Sequence, residues 1–99
     1  SASIEGDAAT ALRAVARCFD KGPLAGKSMK LVGHADARGG AGYNLALGQE
    51  RASSVANFLE KSGLPAGRVS TMSKGAFEAT GVDEEGWARD RKVEMFLAD

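Results

Sequence analysis

The stretch running from Met29 to Gly42 constrains this chain more than any other. Met29-Lys30-Leu31-Val32-Gly33 is short, mostly apolar and bounded by turn formers, which predicts a buried strand. It opens into a polar, glycine-rich loop, His34-Ala35-Asp36-Ala37-Arg38-Gly39-Gly40-Ala41-Gly42. Helical spacing then runs from about Tyr43 to Ser62, with Leu45, Ala52, Val55, Ala56 and Leu59 on one stripe and Gly48 in the same row. Gly63 ends the helix and Pro65 prevents its resumption. A buried strand that feeds a one-sided helix demands a layered fold, because neither can hide its apolar surface alone.

The flanking segments extend that layer. Asp7 is placed to cap a helix reaching about Phe19, with Ala8, Leu12, Val15 and Phe19 on its stripe and Arg13, Arg17 and Lys21 on another face. Cys18 lies at the edge of that stripe and reads as a small core residue. The breaker cluster Lys21-Gly22-Pro23 stops the helix. Arg68 to Ser73 reads as a second strand, Lys74 to Gly81 as loop, and Asp83 as the cap of a short helical turn through Trp87 to Arg89. Val93 to Leu97 is the last strand, with Val93, Met95 and Leu97 on one face. The expected fold is α+β: a two-layer sandwich in which two main helices cover one face of a small mixed β-sheet. Residues 1–99 are expected to form one domain, since a chain of 99 residues supplies one core and contains no linker or repeat.

Composition removes several function classes. Thirteen Lys+Arg balance thirteen Asp+Glu, which argues against a nucleic-acid partner and against a polybasic membrane anchor. No apolar run is long enough for a helix to span a bilayer. One cysteine excludes an internal disulfide and a multi-cysteine zinc site. The chain opens at Ser1 without an apolar leader, so it is expected to be a processed or excised piece.

Chemistry is expected where the first strand hands over to the long helix, because unpaired helical N–H groups and the helix dipole favour anions there. Asn44, Leu47 and Arg51, spaced i, i+3 and i+7, share one face of the helix start. Asp36 is delivered to the same end by the loop. Spacing leaves two readings open. Asp36 and Arg51 pair with each other, or they clasp the two ends of a zwitterion, Asp36 taking an ammonium and Arg51 a carboxylate.

Catalysis finds little support. His34 and Asp36 could supply two metal ligands, but a third is missing nearby, so no metal centre is expected. No G-x-S-x-G elbow exists for a serine nucleophile. Gly39-Gly40-Ala41-Gly42 reads as a turn rather than a dinucleotide loop. Arg89-Asp90-Arg91-Lys92 is a solvated rim, or else Arg91 stands beside the pocket and braces Asp36. Trp87 is expected to plug the short helical turn onto the core.

Gly33-His34-Ala35-Asp36 with Gly39, then Tyr43-Asn44-Leu45, Leu47-Gly48 and Arg51-Ala52, resembles the signature of OmpA-like peptidoglycan-binding domains. Ser73-Lys74-Gly75 and the stretch from Asp83 through Trp87-Ala88-Arg89-Asp90-Arg91-Lys92-Val93 fit the same family, so the likeness runs from about Ile4 to Leu97. The resemblance implies a non-enzymatic module, without cofactor, that holds the outer membrane or an envelope complex to the cell wall. Its ligand would be the meso-diaminopimelate of the peptidoglycan stem peptide, gripped by Asp36 and Arg51. Ala35, Leu47 and Gly48 match pocket-lining positions, and Arg91 matches an arginine near the site. A periplasmic address in a Gram-negative bacterium is implied, with membrane contact only through an upstream anchor. A TolB-like propeller is a further implied partner; alternatives are the anchor domain of a flagellar stator or secretion machine. Three departures stand out. An initial family strand would end about where Ser1 begins, Asp90 brings a negative charge where the family commonly has Asn, and Lys74 replaces an aromatic or small residue.

Overall fold

A computed structural model describes residues 4–98; Ser1, where the expected upstream strand would join, lies outside them. The elements in chain order are helix α1 (Gly6–Asp20), strand β1 (Ser28–His34), helix α2 (Ala41–Lys61), a short 3₁₀ turn (Ala66–Arg68), strand β2 (Val69–Gly75), helix α3 (Glu84–Asp90) and strand β3 (Val93–Ala98). The sheet order is β2-β1-β3, with β1 parallel to β2 and antiparallel to β3. The expected mixed sheet with two main helices on one face is therefore present.

The core lies between that face and the helices. Ala16 and Phe19 from α1, Met29 and Leu31 from β1, Ala52, Ala56 and Leu59 from α2, and Leu64 beyond it form one buried cluster. Strand alternation sends Leu31 and Gly33 toward α2, and Val32 and His34 to the opposite face. Across the strands, Leu31 pairs with Thr71 and Met95, and Gly33 with Ser73 and Val93.

One contact sets how deeply α2 sits. A Cβ on Gly33 would collide with the Gly48 carbonyl, and a Cβ on Gly48 would collide with Ser73 Oγ and lie 2.8 Å from the Gly33 carbonyl oxygen. Helix and strand backbones touch there, with no side chain between them. At the far end, Gly63 N–H donates to Glu60 O (3.1 Å) and Leu64 N–H to Leu59 O (3.0 Å), with Gly63 at φ 115°. This pair of bonds closes the helix and carries Leu64 back into the core.

Several details differ from the sequence reading. Asp7 lies inside the first turn of α1, where its charge still favours the dipole, and Glu5 takes the N-cap position. On α1, Phe19 is buried and Leu12 and Val15 pack against the core as expected, but Ala9 and Ala16 complete that face and Ala8 is exposed. Helix α2 begins at Ala41, so only Gly39 and Gly40 of the glycine cluster form the turn. Leu45 is exposed, and Asn44 occupies the buried row with Gly48, Ala52, Ala56 and Leu59. The Gly33–Gly48 contact fixes the rotation of α2, and that rotation brings 44, 48 and 52 inward and turns 45 out. Met95 and Leu97 share a face with Val93 as expected, yet both are exposed. They lie on an edge strand whose one partner among the described residues is β1.

Gly48→Ala is expected to lower stability by about 1–3 kcal/mol through overpacking against Gly33 and Ser73. Gly42→Ala, where an added Cβ meets nothing within 4 Å, is expected to raise it by up to about 1 kcal/mol. Urea unfolding of the two variants reads both signs.

Candidate functional site

Asp36 is the centre of the charged cluster at the C-terminal end of β1. It is only 6% exposed, and its carboxylate is almost fully engaged. Oδ1 accepts from Arg38 backbone N–H (3.0 Å) and Arg38 Nε (3.1 Å). Oδ2 accepts from Arg38 Nη2 (2.8 Å) and Arg91 Nη1 (2.9 Å). The Arg38 guanidinium, first, and the Arg91 guanidinium hold the carboxyl well below the usual carboxylate range, against the opposing effect of burial. Asp36 is thus a charge buried only because it is paired and hydrogen-bonded.

The two arginines reach it from different elements. Arg38 follows in the same loop, and its guanidinium lies over the Trp87 ring at 4.3 Å from the centroid. Arg91 follows α3 and also approaches Glu84 (3.5 Å). Helix α3 is itself fixed by Asp83, whose Oδ1 accepts from Gly86 N–H (2.9 Å). Trp87 therefore does not plug the core as expected: it is half-buried, outside the core cluster, and forms a platform for Arg38. Asp90 is not among the residues that line the pocket; its carboxylate is turned to the loop before α3, accepting from Gly81 N–H (2.9 Å) and Thr80 N–H (3.3 Å).

Arg51 arrives from α2. Its Nη1 donates to the His34 carbonyl oxygen at 3.0 Å. The direct Asp36–Arg51 pair, one of the two readings left open by spacing, is not what forms. Asp36 is bound by Arg38 and Arg91, and Arg51 lies across a hollow of about 310 Å³ lined by Asp36, Arg38, Gly39, Tyr43, Asn44, Leu47, Arg51 and Arg91. Asn44 is 2% exposed, and its Oδ1 is enclosed without a hydrogen-bond partner among the described residues. A buried acceptor left open in this way is costly, and a donor entering the hollow would relieve it.

Of the residues expected from sequence, Asp36, Asn44, Leu47, Arg51 and Arg91 line one hollow. Ala35 and Gly48 do not. Ala35 is buried, its N–H donating to Gly75 O (2.9 Å), and Gly48 is pressed against Gly33. Arg38, Tyr43 and Gly39 are additions to the lining. The sequence offered one signal for Arg38: a basic residue two positions after an acidic one in a turn, where its side chain can double back. Three guanidinium groups against one carboxylate leave the lining net positive in a chain of zero formal charge, so the hollow favours a ligand carrying carboxylates.

The chain belongs to the OmpA family, which matches residues 1–93. Among curated relatives, the peptidoglycan-associated lipoprotein of Pseudomonas aeruginosa is 40% identical over 72 residues, covering 71% of this chain and 43% of the relative. That of Agrobacterium fabrum is 37% identical over 99 residues, covering 98% of this chain and 55% of the relative. The chain thus spans about half the length of the curated relatives it matches. Among solved structures, the peptidoglycan-associated lipoprotein of Burkholderia pseudomallei superposes with a TM-score of 0.89 at 30% identity, over 99% of this chain and 83% of that one.

The depressed pKa of Asp36 has a defined consequence in acid. The stability it contributes is complete above the unfolded-state value of about 4 and is lost as pH falls further, toward the depressed folded-state value. Asp36→Asn is expected to lower the melting temperature at neutral pH and to flatten its fall between about pH 4 and pH 2. Thermal melts across that range read the difference.

Proposed function

We propose that this chain is a non-catalytic module that binds peptidoglycan without covalent bonds, through the meso-diaminopimelate of the stem peptide. In this reading it works in the periplasm of a Gram-negative cell and ties the outer membrane, or an envelope complex, to the wall. Membership of the OmpA family and likeness to proteins named peptidoglycan-associated lipoprotein support the wall as partner. The observation that carries the ligand class is the hollow itself, which sets the guanidinium groups of Arg51 and Arg91 and the Asp36 carboxylate around a buried, unsatisfied Asn44 Oδ1.

The free end of diaminopimelate carries both an ammonium and a carboxylate. Arg51 offers the carboxylate a planar fork, having committed one N–H to the His34 carbonyl. Arg91, anchored on Asp36, adds positive charge at the same mouth. The ammonium is received by Asn44 Oδ1 and by Asp36. Arg38, whose side chain is 51% exposed, is the exchangeable partner of that carboxylate. Its guanidinium leaves Asp36 for solvent along the Trp87 ring as the ligand ammonium enters, so one cation replaces another and no buried charge is stranded. Leu47 and Tyr43 supply the apolar wall against the ligand's methylene chain. None of these roles makes or breaks a bond.

Sedimentation with insoluble diaminopimelate-type peptidoglycan tests the assignment. The unaltered chain is expected to pellet with the wall. Asp36→Ala and Arg51→Ala should each weaken binding ~30-fold or more, the effect of removing one partner of a charge-assisted contact. Arg38→Ala should bind at least as well as the unaltered chain, and Arg89→Ala equally well. Circular dichroism verifies that each variant is folded. Undiminished pelleting by both Asp36→Ala and Arg51→Ala would remove the site.

A further inference from the structure

On the face of the sheet turned away from α2, three side chains from three segments converge. His34 ends β1, Glu94 lies on β3, and Glu78 lies in the turn after β2. Their donor atoms all lie within 4.8 Å of one another. The imidazole of His34 is held in place: the residue is 2% exposed, and its Nε2 stands 2.8 Å from Glu94 Oε1. Glu94 and Glu78 are both partly open to solvent, so the cluster has a rigid buried floor and a reachable mouth.

We infer that His34, Glu78 and Glu94 form a binding site for a divalent transition cation of the zinc type, separate from the pocket around Asp36. The donor set is one imidazole nitrogen and two carboxylate oxygens, which suits zinc better than calcium or magnesium, whose sites draw mostly or wholly on oxygen. Tetrahedral coordination at about 2.0–2.2 Å spaces donor atoms about 3.3 Å apart, so the partly exposed Glu78 and Glu94 side chains would draw in toward the fixed His34 ring on binding. Three protein donors leave the fourth position for water. Two carboxylates and a neutral imidazole also balance the charge of a divalent ion.

The cluster already attracts positive charge. Lys74 Nζ is 3.0 Å from Glu78 Oε2, and its ammonium holds the Glu78 carboxyl below the usual range, with His34 and Lys92 adding to the effect. A metal ion would take over the Lys74 position at Glu78. Since Lys74 competes for that carboxylate, its removal should strengthen metal binding. The inference rests on the sheet face alone and not on the peptidoglycan reading, so either can fail without the other.

The test is isothermal titration of chelator-treated protein with zinc chloride, paired with thermal melts. Expected are one saturable site, a rise in melting temperature with zinc, and none with magnesium chloride at equal concentration. Glu78→Gln, half-exposed and dispensable for packing, should weaken zinc binding at least ~10-fold with an unchanged metal-free melting temperature. Glu94→Gln should weaken it similarly, and Lys74→Ala should tighten it. Cys18→Ser should leave it unchanged, which separates the cluster from the lone thiol. Cobalt chloride gives a second readout, visible bands that disappear in Glu78→Gln. An absence of saturable heat, or zinc binding by Glu78→Gln and Glu94→Gln equal to that of the unaltered chain, would overturn the inference.

Discussion

The touch of two backbones at Gly33 and Gly48 sets the position of α2 and, through it, the shape of the pocket. A helix laid on a sheet usually rides on side chains, which leave it freedom to slide and to roll. Here the Gly48 carbonyl occupies the space of a Gly33 side chain, and Ser73 Oγ and the Gly33 carbonyl occupy that of a Gly48 side chain. Both degrees of freedom are lost. With Gly48 facing the sheet, Asn44 and Ala52 must face inward one turn to either side, while Leu47 and Arg51 turn toward the end of β1. The pocket lining on α2 is a geometric consequence of two missing Cβ atoms several ångströms away.

The second constraint is electrostatic. A buried carboxylate is tolerable only with partners, and Asp36 takes both of its guanidinium groups from outside α2. Arg38 comes from its own loop and Arg91 from the segment after α3, so the charge of Asp36 draws two segments to the end of the strand. Trp87 backs Arg38 from α3, and this contact, with Arg91, ties α3 to the loop. Neutrality of the whole chain conceals this local excess of positive charge. Net charge argues about long-range attraction to polyanions, whereas a single pocket can select carboxylates by local arrangement.

Much of this was legible in the residues. Met29–Gly33, the helical spacing after it, and the Gly63 and Pro65 stop placed β1 and α2 because each signal is local. The i, i+3, i+7 set of Asn44, Leu47 and Arg51 was legible for the same reason. Rotation was not: Leu45 and Asn44 are adjacent, and which of them faces inward depends on a contact with Gly33. Ala8 and Ala9 show the same ambiguity on α1. Of the partners of Asp36, Arg91 was legible as a brace although it lies 55 residues away, because it sits in a charged run ahead of the last strand, whereas Arg38, two residues away, was passed over as part of a turn. Trp87 was misplaced because a lone tryptophan suggests a core, and nothing in its neighbourhood names Arg38. The His34 cluster escaped a search for nearby ligands because Glu78 and Glu94 join it only through strand pairing.

The crowding of charged side chains at one end of the molecule follows from topology. Strand β1 is central, parallel to β2 and antiparallel to β3. Its C-terminal end therefore adjoins the end of β2 and the beginning of β3. As β1 leaves the sheet it is held from both sides: His34 N–H donates to Lys92 O (2.8 Å), and Ala35 N–H donates to Gly75 O (2.9 Å). The turn after β2, the segment before β3 and the start of α2 must all converge on residues 34–36. Strand alternation then divides what converges. The His34 imidazole points to the open face with Glu78 and Glu94, while its carbonyl receives Arg51 and the chain delivers Asp36 to the pocket. One strand end thus serves two faces, and the side chains on one can be altered without removing the backbone bonds that hold the other.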